Sequence, residues 1–309
     1  MSVNRLTAAQ LSAQAPSLPS PFGEEKQRCD KSRTAPLHGH CAGSYYPGAM
    51  DMPVTNLQVN DEKTILTYEF AGRTWRLNYD GAAKYHALNS SAKLHRLAAA
   101  VPGNAKMVID VGANCGLFSG MTAARCPGAV VHAFEPSQSL LPLIALNAPA
   151  AHVHGELVGE INGAADLFIN RFSQQTNSTL ASAILPFSTP DQVRRVTLPQ
   201  ITLDTFCARE RIDAIDVLKI DVQGAEGAVL RGAKSILPSV SVLLIESSWL
   251  ELDSIAAVLP FARHYGFAHL GVLNPVHLGA DLLLTRHEAL MPQDLLARFR
   301  TDEPIRDWF

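Results

Sequence analysis

The stretch VIDVGANCGLFSG, residues 108–120, decides the fold of this chain. It begins as an apolar run of strand length, and Gly112 and Gly116 then lead into a helical pattern. Glycines at such a turn let the backbone approach a ligand closely, and the helix N-terminus offers unpaired N–H groups. The stretch therefore predicts a nucleotide-like cofactor site, with Asp110 at the strand end and Asn114 in the turn. The alternative is a turn whose glycines serve only tight packing.

The next strand candidate supports the cofactor interpretation because it ends in an acidic residue. Glu135, within HAFEP, follows Gly112 by 23 residues. A carboxylate about 20 positions after a glycine turn can accept hydrogen bonds from both ribose hydroxyls. A dinucleotide fingerprint would also place glycines where this chain has Asn114 and Leu117. The pattern therefore favours a cofactor without a pyrophosphate, and S-adenosylmethionine fits it.

Short apolar runs alternate with helical patterns from Met107 onward, which indicates a mostly parallel sheet with helices on both faces. The strand candidates are residues 107–111, 129–134, 152–159, 216–220 and 240–246. Apolar residues at helical spacing predict helices over 226–237 and 251–265. Two last strands, 267–273 and 281–285, have no helix between them and should close the sheet as an antiparallel pair. The predicted fold class is α/β and Rossmann-like.

The remaining segments divide the chain into an extension, a main domain and a tail. The predicted ranges are an irregular arm over 1–55, a hairpin and helix over 56–104, the main domain over 105–290 and a tail over 291–309. The hairpin lies in 64–80 and the helix in 83–101. Residues 160–205 read as extra strands and a loop, including 194–206 as extended chain, and form a candidate lid or acceptor wall.

Composition excludes several functional classes. The chain has 309 residues, of which 47% are apolar, so it can bury a large core. Lys and Arg number 26 against 29 Asp and Glu, with no long block of either sign, which argues against a nucleic-acid groove or a membrane-binding patch. Five widely spaced cysteines without a CxxC pair are typical of a reducing compartment. We therefore expect a cytoplasmic protein without a membrane span. The alternative is an organelle protein with an N-terminal transit peptide. The assembly that we consider is a homodimer.

Several motifs, taken in order, resemble one known family. They are VIDVGANCGLFS, HAFEPS with Asn147 in the following helix, TLDTF, LKIDVQGAEGAVLRGA and VLLIES. This ordered set is similar to the motifs of the FkbM family of S-adenosylmethionine-dependent methyltransferases, over about residues 105–250. One position departs from the family pattern Lys-Ile-Asp-Val-Glu-Gly, because Gln223 stands where the family usually has Glu. That departure puts in doubt any role that needs a charge there.

The resemblance implies a class I methyltransferase fold with a seven-stranded, mostly parallel sheet and the C-terminal antiparallel pair. It implies methylation of a hydroxyl on a sugar or polyketide-like natural product, so the partner would be a small-molecule or glycan acceptor. By motif position it assigns the cofactor site to Asp110, Gly112, Asn114, Gly116, Glu135 and Asp221.

Two carboxylates are the candidate catalytic residues. Asp221 and Glu246 end neighbouring strand candidates, at the edge where open α/β sheets bind ligands. We expect Asp221 to orient the cofactor or accept the acceptor's proton, with Glu246 close behind. The two could supply metal oxygens, but no convincing third ligand accompanies them, so we predict no metal. The alternatives are a nicotinamide-dependent oxidoreductase and a catalytically silent binding module, and the sequence leaves the acceptor unidentified.

Overall fold

Our computed structural model describes residues 54–79, 83–170, 192–248, 252–276 and 279–292. These residues form a central sheet and two smaller sheets. The strands are β1 Thr55–Val59, β2 Ile65–Phe70, β3 Arg73–Asn78, β4 Met107–Val111, β5 Val130–Phe134, β6 His152–His154, β7 Leu157–Val158, β8 Gly163–Asn170, β9 Val193–Ile201, β10 Ile215–Ile220, β11 Val240–Ser248, β12 His269–Val276 and β13 Gly279–Thr285. The α-helices are α1 Ala83–Ala99, α2 Leu117–Arg125, α3 Leu141–Asn147, α4 Leu203–Glu210, α5 Glu226–Arg231 and α6 Leu252–His264.

The central sheet has seven strands in the order β12-β13-β11-β10-β4-β5-β6. Five of these strands, β6, β5, β4, β10 and β11, pair in parallel, whereas β13 is antiparallel to both β11 and β12. The predicted α/β class, the seven strands and the C-terminal antiparallel pair are therefore confirmed. The carboxyl ends of β4, β5, β10 and β11 meet at one edge, where open α/β sheets bind ligands.

Alternate residues of the central strands enter two different cores. Val108 and Val217 belong to one buried cluster, which also contains the N-terminal extension. Ile109 and Leu218, their chain neighbours, belong to a second cluster on the opposite face. Successive side chains of a strand point to opposite faces, so both faces of this sheet need covering. That requirement explains the continuously apolar strands seen in the sequence.

The N-terminal extension contains the predicted hairpin and helix, and one strand that was not predicted. β2 and β3 pair as a hairpin, and β1 adds to β2 on the other side. The extension is tied to the central domain by Asn147, whose side chain accepts from Arg76 N at 2.9 Å and donates to the carbonyl oxygens of Arg76 at 2.8 Å and Cys115 at 2.7 Å. The predicted arm over 1–55, apart from its last two residues, lies outside the described residues, as does almost all of the tail.

The segment after β6 differs most from the sequence prediction. The predicted strand over 152–159 is two short strands in different sheets, because β7 joins β9 and β8 in a small separate sheet. The extended chain predicted over 194–206 is wrong at its end: helix α4 begins at Leu203, and the Thr202 side chain caps it by accepting from Thr205 N at 3.1 Å. Residues 171–191, the centre of the proposed lid, lie outside the described residues.

Two predicted helices are confirmed, one of them with an earlier end. α6 spans most of 251–265, and Gly266 follows it with φ of 88°. The helix predicted over 226–237 ends at Arg231, and a 3₁₀ turn follows at Leu237–Ser239. A Cβ on Gly232 would overlap the carbonyl oxygen of Gly159, so this helix end packs directly on backbone. Within the described ranges, each helix is too short or too polar to cross a lipid bilayer.

Candidate active site

The glycine turn after β4 holds a conformation that ordinary side chains disfavour. Gly112, Asn114 and Gly116 have φ of 80°, 54° and 80°, the left-handed region that glycine enters freely and asparagine tolerates. A Cβ on Gly112 would overlap the carbonyl oxygen of Asp221, so the turn lies directly against the end of β10. The N–H groups of Gly112 and Ala113 both donate to the carbonyl of Phe134, at 3.0 and 2.9 Å, which fixes the turn to β5.

Glu135 joins this turn to the end of β5. Its two carboxylate oxygens accept from Asn114 N at 2.9 Å and from Ser137 N at 2.8 Å. The side chain is buried, and burial raises the pKa of the Glu135 carboxyl above its ordinary value, against the effect of these N–H donors. The Ser137 side chain also hydrogen-bonds to this carboxylate. A carboxylate has about four lone-pair positions, so Glu135 retains acceptor capacity for a further hydroxyl.

Asp110 lies beneath the turn, where it forms an ion pair across the β4–β10 ladder. Lys219 is the residue opposite Asp110, and its Nζ lies 3.0 Å from Asp110 Oδ1 and 3.1 Å from the Gly112 carbonyl oxygen. The other Asp110 oxygen accepts from Ser119 Oγ at 2.6 Å. Asp110 has no exposed surface, so any part it takes in cofactor binding acts through Lys219 and the turn.

Lys219 also reaches Asp221, which connects the turn to the second half of the site. Its Nζ lies 3.6 Å from Asp221 Oδ2. Burial would lower the pKa of the Lys219 ammonium, but the carboxylates of Asp110 and Asp221 raise it. Burial would likewise raise the pKa of the Asp221 carboxyl, but Lys219 and Lys93 outweigh burial and lower it. Asp221 is therefore held as an anion at the end of β10.

Glu246, at the corresponding position of β11, has the opposite proton affinity. Burial and the Asp221 carboxylate raise the pKa of the Glu246 carboxyl, against the opposing effect of Lys93. Lys93 Nζ lies 2.7 Å from Glu246 Oε1 and 3.2 Å from Asp281 Oδ1. Asp281 stands opposite Glu246 in the β11–β13 ladder. Two neighbouring carboxyl groups with divergent pKa values are the arrangement expected of an anionic group beside a proton acceptor.

Gln223 bridges the two candidate catalytic carboxylates. Its side-chain nitrogen donates to Asp221 Oδ1 at 2.8 Å and to Glu246 Oε2 at 2.6 Å. An amide nitrogen carries two protons, so one side chain can satisfy both acceptors, which an ionised Glu could not do. The backbone supports this position, because Gln223 has φ of 55° and Gly224 has φ of 103°.

Glu226 stabilises the turn that carries Gln223. Its Oε1 accepts from the N–H groups of Val222 and Gly224, both at 3.1 Å. Burial raises the pKa of the Glu226 carboxyl to about 7, against the effect of these N–H donors. Glu226 lies within the motif LKIDVQGAEGAVLRGA, from which no role was predicted for it.

Lys93 and Asp281 are the site residues that the sequence analysis missed. The pairing of the last strand with 240–246 was not predicted. It would have placed Asp281 near Glu246, because Asp281 begins one quoted run and Glu246 ends the other. Lys93 carried no signal, since it lies in a helix of the extension. Within the described ranges, no group of three or more His, Cys, Asp or Glu is arranged to hold a metal ion, and the expectation of a metal-free site stays a prediction.

The donor set fits S-adenosylmethionine. Glu135 offers a buried carboxylate for ribose hydroxyls beside a turn whose backbone can approach a ligand. Four carboxylates, those of Asp110, Asp221, Glu246 and Asp281, face two ammonium groups, those of Lys93 and Lys219. Even with the Glu246 carboxyl protonated, three carboxylates remain for two ammonium groups, and this excess of negative charge suits a ligand that carries a sulfonium and an ammonium group.

Comparison with known proteins identifies a family of methyltransferases. The family model of the methyltransferase FkbM domain matches residues 110–268, just over half of the chain. A curated relative, 31-O-demethyl-FK506 methyltransferase FkbM of Streptomyces tacrolimicus, is 26% identical over 212 residues, which cover 59% of this chain and 79% of the relative.

Solved structures similar to this chain are more distant. An O-methyltransferase of Bacillus cereus in complex with SAH has a TM-score of 0.40 and 12% identity, over 64% of this chain and 81% of that chain. The precorrin-6y C5,15-methyltransferase of Geobacter metallireducens has a TM-score of 0.39 and 10% identity, over 64% of this chain and 87% of that chain.

The family match confirms the prediction of a methyltransferase that uses S-adenosylmethionine, and it begins at Asp110 and includes Glu135, Asp221 and Glu246. Lys93 and Asp281 lie outside the matched residues. By this match over half of its length, the chain belongs to the FkbM methyltransferase domain family.

Proposed function

We propose that this chain transfers a methyl group from S-adenosylmethionine to a hydroxyl oxygen of a small molecule, such as a sugar or a polyketide-like natural product. The observation that carries the proposal is the pair of carboxylates at the ends of β10 and β11, with the pKa of Asp221 lowered and that of Glu246 raised. A hydroxyl acceptor must lose a proton as its oxygen is methylated, so it benefits from a nearby base.

The cofactor would lie along the strand ends, between the glycine turn and Asp221. Glu135 would bind the ribose hydroxyls, and the turn from Gly112 to Gly116 would lie against the methionyl part. Asp110 and Lys219 would act from beneath by fixing the turn, since their side chains are almost fully buried. When bound, S-adenosylmethionine supplies the methyl group, whose bond to the sulfonium sulfur breaks as its bond to the hydroxyl oxygen forms.

The carboxylates of Asp221 and Glu246 would have different roles in the reaction. Asp221, held ionised by two ammonium groups, would face the positive charge of the cofactor. Glu246 would accept the proton of the acceptor hydroxyl, because a carboxylate with a raised pKa is the stronger base of the two. Gln223 would keep the two oxygens at a fixed separation through its paired hydrogen bonds. Much of the rate would come from this positioning.

The choice of a hydroxyl acceptor has support outside the site. The relative from Streptomyces tacrolimicus is named for a 31-O-demethyl substrate. The chain has a formal charge of −3 and no long block of basic residues, which favours a neutral small molecule over a nucleic acid.

Ligand titration tests the cofactor part of the proposal. At about 100 times its Kd, S-adenosylhomocysteine should raise the free energy of unfolding by about 2.7 kcal/mol. NAD should leave the unfolding temperature unchanged. The reverse result would favour a nicotinamide-dependent oxidoreductase and would overturn the proposal.

Methyl transfer tests the catalytic part. The full chain would be incubated with methyl-labelled S-adenosylmethionine and a panel of sugar and polyketide hydroxyl compounds. Glu246→Gln should lower the transfer rate about 100-fold or more, the range of general base catalysis, whereas Glu62→Gln, at an exposed position remote from the site, should not. Binding of S-adenosylhomocysteine without transfer to any compound would point to a silent module, and full activity of a folded Glu246→Gln would remove Glu246 from the chemistry.

A further inference from the structure

Lys93 makes contacts with three carboxylates that come from three separate segments. Its Nζ lies 2.7 Å from Glu246 Oε1, 3.2 Å from Asp281 Oδ1 and 3.8 Å from Asp221 Oδ2. The Lys93 side chain is 22% exposed, so these contacts form at the mouth of the site rather than in the core. No other described residue contacts all three of these carboxylates through an ion pair.

The N-terminal extension holds Lys93 in this position. Lys93 lies on α1, two residues after Ser91, whose buried Oγ is 2.7 Å from the hydroxyl of Tyr68 on β2. The apolar face of the helix, including Leu97, belongs to the same buried cluster as Tyr68 and Trp75. A flexible lysine on a loop would lose rotamer entropy on forming such contacts, whereas a helix packed on both sides fixes the base of the side chain.

We propose that Lys93 is a positioning residue of the acceptor site, whose ammonium group holds Asp221, Glu246 and Asp281 together at the mouth of the cofactor site. This inference rests on the proposed function, because it needs Glu246 to be the proton acceptor. It also makes the extension part of the active site, although the extension lies before the residues that the family model matches.

The consequence is electrostatic, and it has a definite sign. Without Lys93, the three carboxylates would lose the ammonium group that contacts all of them, and the proton would bind Glu246 more tightly. An opposite charge within about 4 to 6 Å typically shifts a carboxyl pKa by 1 to 3 units. The charged groups that act on Glu246 are Lys93 from α1, Asp221 from the end of β10 and Asp281 from β13. Lys219 acts on Asp221, and Arg96 of α1 acts on Asp281.

The test follows the ionisation of Glu246 in the full chain, with S-adenosylhomocysteine and without any acceptor. Carbon-13 NMR of labelled glutamate carboxyl groups gives the titration midpoint, and Glu246→Gln identifies the signal by its loss. Lys93→Met should raise the midpoint by about one pH unit or more. Lys93→Arg, which keeps the charge, should restore a midpoint close to that of the unaltered chain. Asp281→Asn should lower it, because a neighbouring negative charge is removed.

Matched controls separate positioning from a general structural effect. Lys106→Met removes an exposed lysine remote from the site and should leave the midpoint unchanged. An unchanged midpoint in a folded Lys93→Met chain would overturn the proposal, as would shifts of the same sign in Lys93→Met and Asp281→Asn. If Lys93→Met does not fold, Lys93→Gln, which also removes the charge, replaces it, and the same criterion of opposite signs to Asp281→Asn applies. Failure of the proposed function appears separately, as absent methyl transfer.

Discussion

The cofactor side and the acceptor side of the site are built in different ways. The cofactor side comprises Asp110, the turn from Gly112 to Gly116 and Glu135, which lie within one short stretch of chain and are bound to buried partners. The acceptor side comprises Lys93, Asp221, Gln223, Glu246 and Asp281, which come from four separate segments. Apart from Asp281, its charged side chains are 19% to 23% exposed.

Because of this difference, we expect the cofactor side to be rigid and the acceptor side to be adjustable. On the cofactor side, each charged group is desolvated and paired, so removing one partner leaves a buried charge without compensation. On the acceptor side, water can reach the charges, so single changes alter proton affinity more than stability. We therefore expect substitutions on the two sides to have effects of different size and kind.

Gly112→Ala should have the largest effect and should destroy the cofactor side. The new Cβ would overlap the Asp221 carbonyl oxygen, and φ of 80° would strain alanine as well. We expect a loss of about 3 kcal/mol or more in the free energy of unfolding, measured by urea denaturation, with no remaining response to S-adenosylhomocysteine.

Gly103→Ala is the matched control for this change. No atom lies within 4 Å of a Cβ at that position, so stability and ligand response should both be retained. A Gly112→Ala chain that keeps its affinity for S-adenosylhomocysteine would contradict the view that the turn must lie directly against β10.

Replacement of Lys219 and of Lys93 by methionine compares the stability of the cofactor side and the acceptor side most directly. Lys219→Met would leave Asp110 fully buried with only Ser119 as a partner, and breaking such a buried pair costs about 3 kcal/mol. Lys93→Met removes a partly exposed ammonium, so its loss should be about 1 kcal/mol or less. Denaturation of both variants in one buffer makes the measurement, and Lys219→Met combined with Asp110→Asn should recover part of the larger loss. Equal losses would mean that the two sides do not differ in this way.

The same contrast explains how much of the site could be predicted from the sequence. Gly112, Glu135 and Asp221 were found because their motifs place them at strand ends, and the order of strands in this fold brings strand ends together. The pairing of Asp110 with Lys219 depends on β4 and β10 being neighbours, which adjacency in sequence does not indicate. Lys93 could not be found, because nothing in a helix pattern states which distant carboxylates it will meet.

The fold shows the same limit at its less regular parts. The buried strands were predicted closely, since continuous apolar runs have few alternatives. β1 was missed because its alternation, Leu57 and Val59 between polar residues, is short and its residues are mostly exposed. Its pairing with β2 makes it a strand. The start of α4 could have been found, because Thr202 and Asp204 are typical of a helix cap and first turn.

A pH titration tests Glu226, which stabilises the turn between Asp221 and α5. The folded chain raises the pKa of Glu226 from 4.5 to about 7, so the native state binds more protons than the unfolded state between these values. The free energy of unfolding should therefore fall as pH rises through that window, by at most about 3 kcal/mol from this group.

Glu226→Gln should remove this part of the pH dependence while keeping the hydrogen bonds. The amide oxygen of Gln can accept from Val222 N and Gly224 N as the carboxylate does. Denaturation at a series of pH values measures the slope, and Glu62→Gln, at an exposed position, should leave it unchanged. A slope that survives in Glu226→Gln would assign the pH dependence to other carboxyl groups.

Gln223→Glu should have a small effect on stability, comparable with that of Lys93→Met, and the effect should depend on pH. An ionised Glu cannot donate to Asp221 and Glu246, so two hydrogen bonds are lost and a further negative charge joins the acceptor side. We expect a loss of about 1 kcal/mol at pH 8, less at pH 6 where protonation returns one donor, and no loss in Gln138→Glu, which alters an exposed glutamine. Equal stability at both pH values would mean that the amide bridge contributes nothing. Recovery on adding magnesium chloride would mean that a carboxylate at this position, as in the family pattern, lets the acceptor side bind a cation.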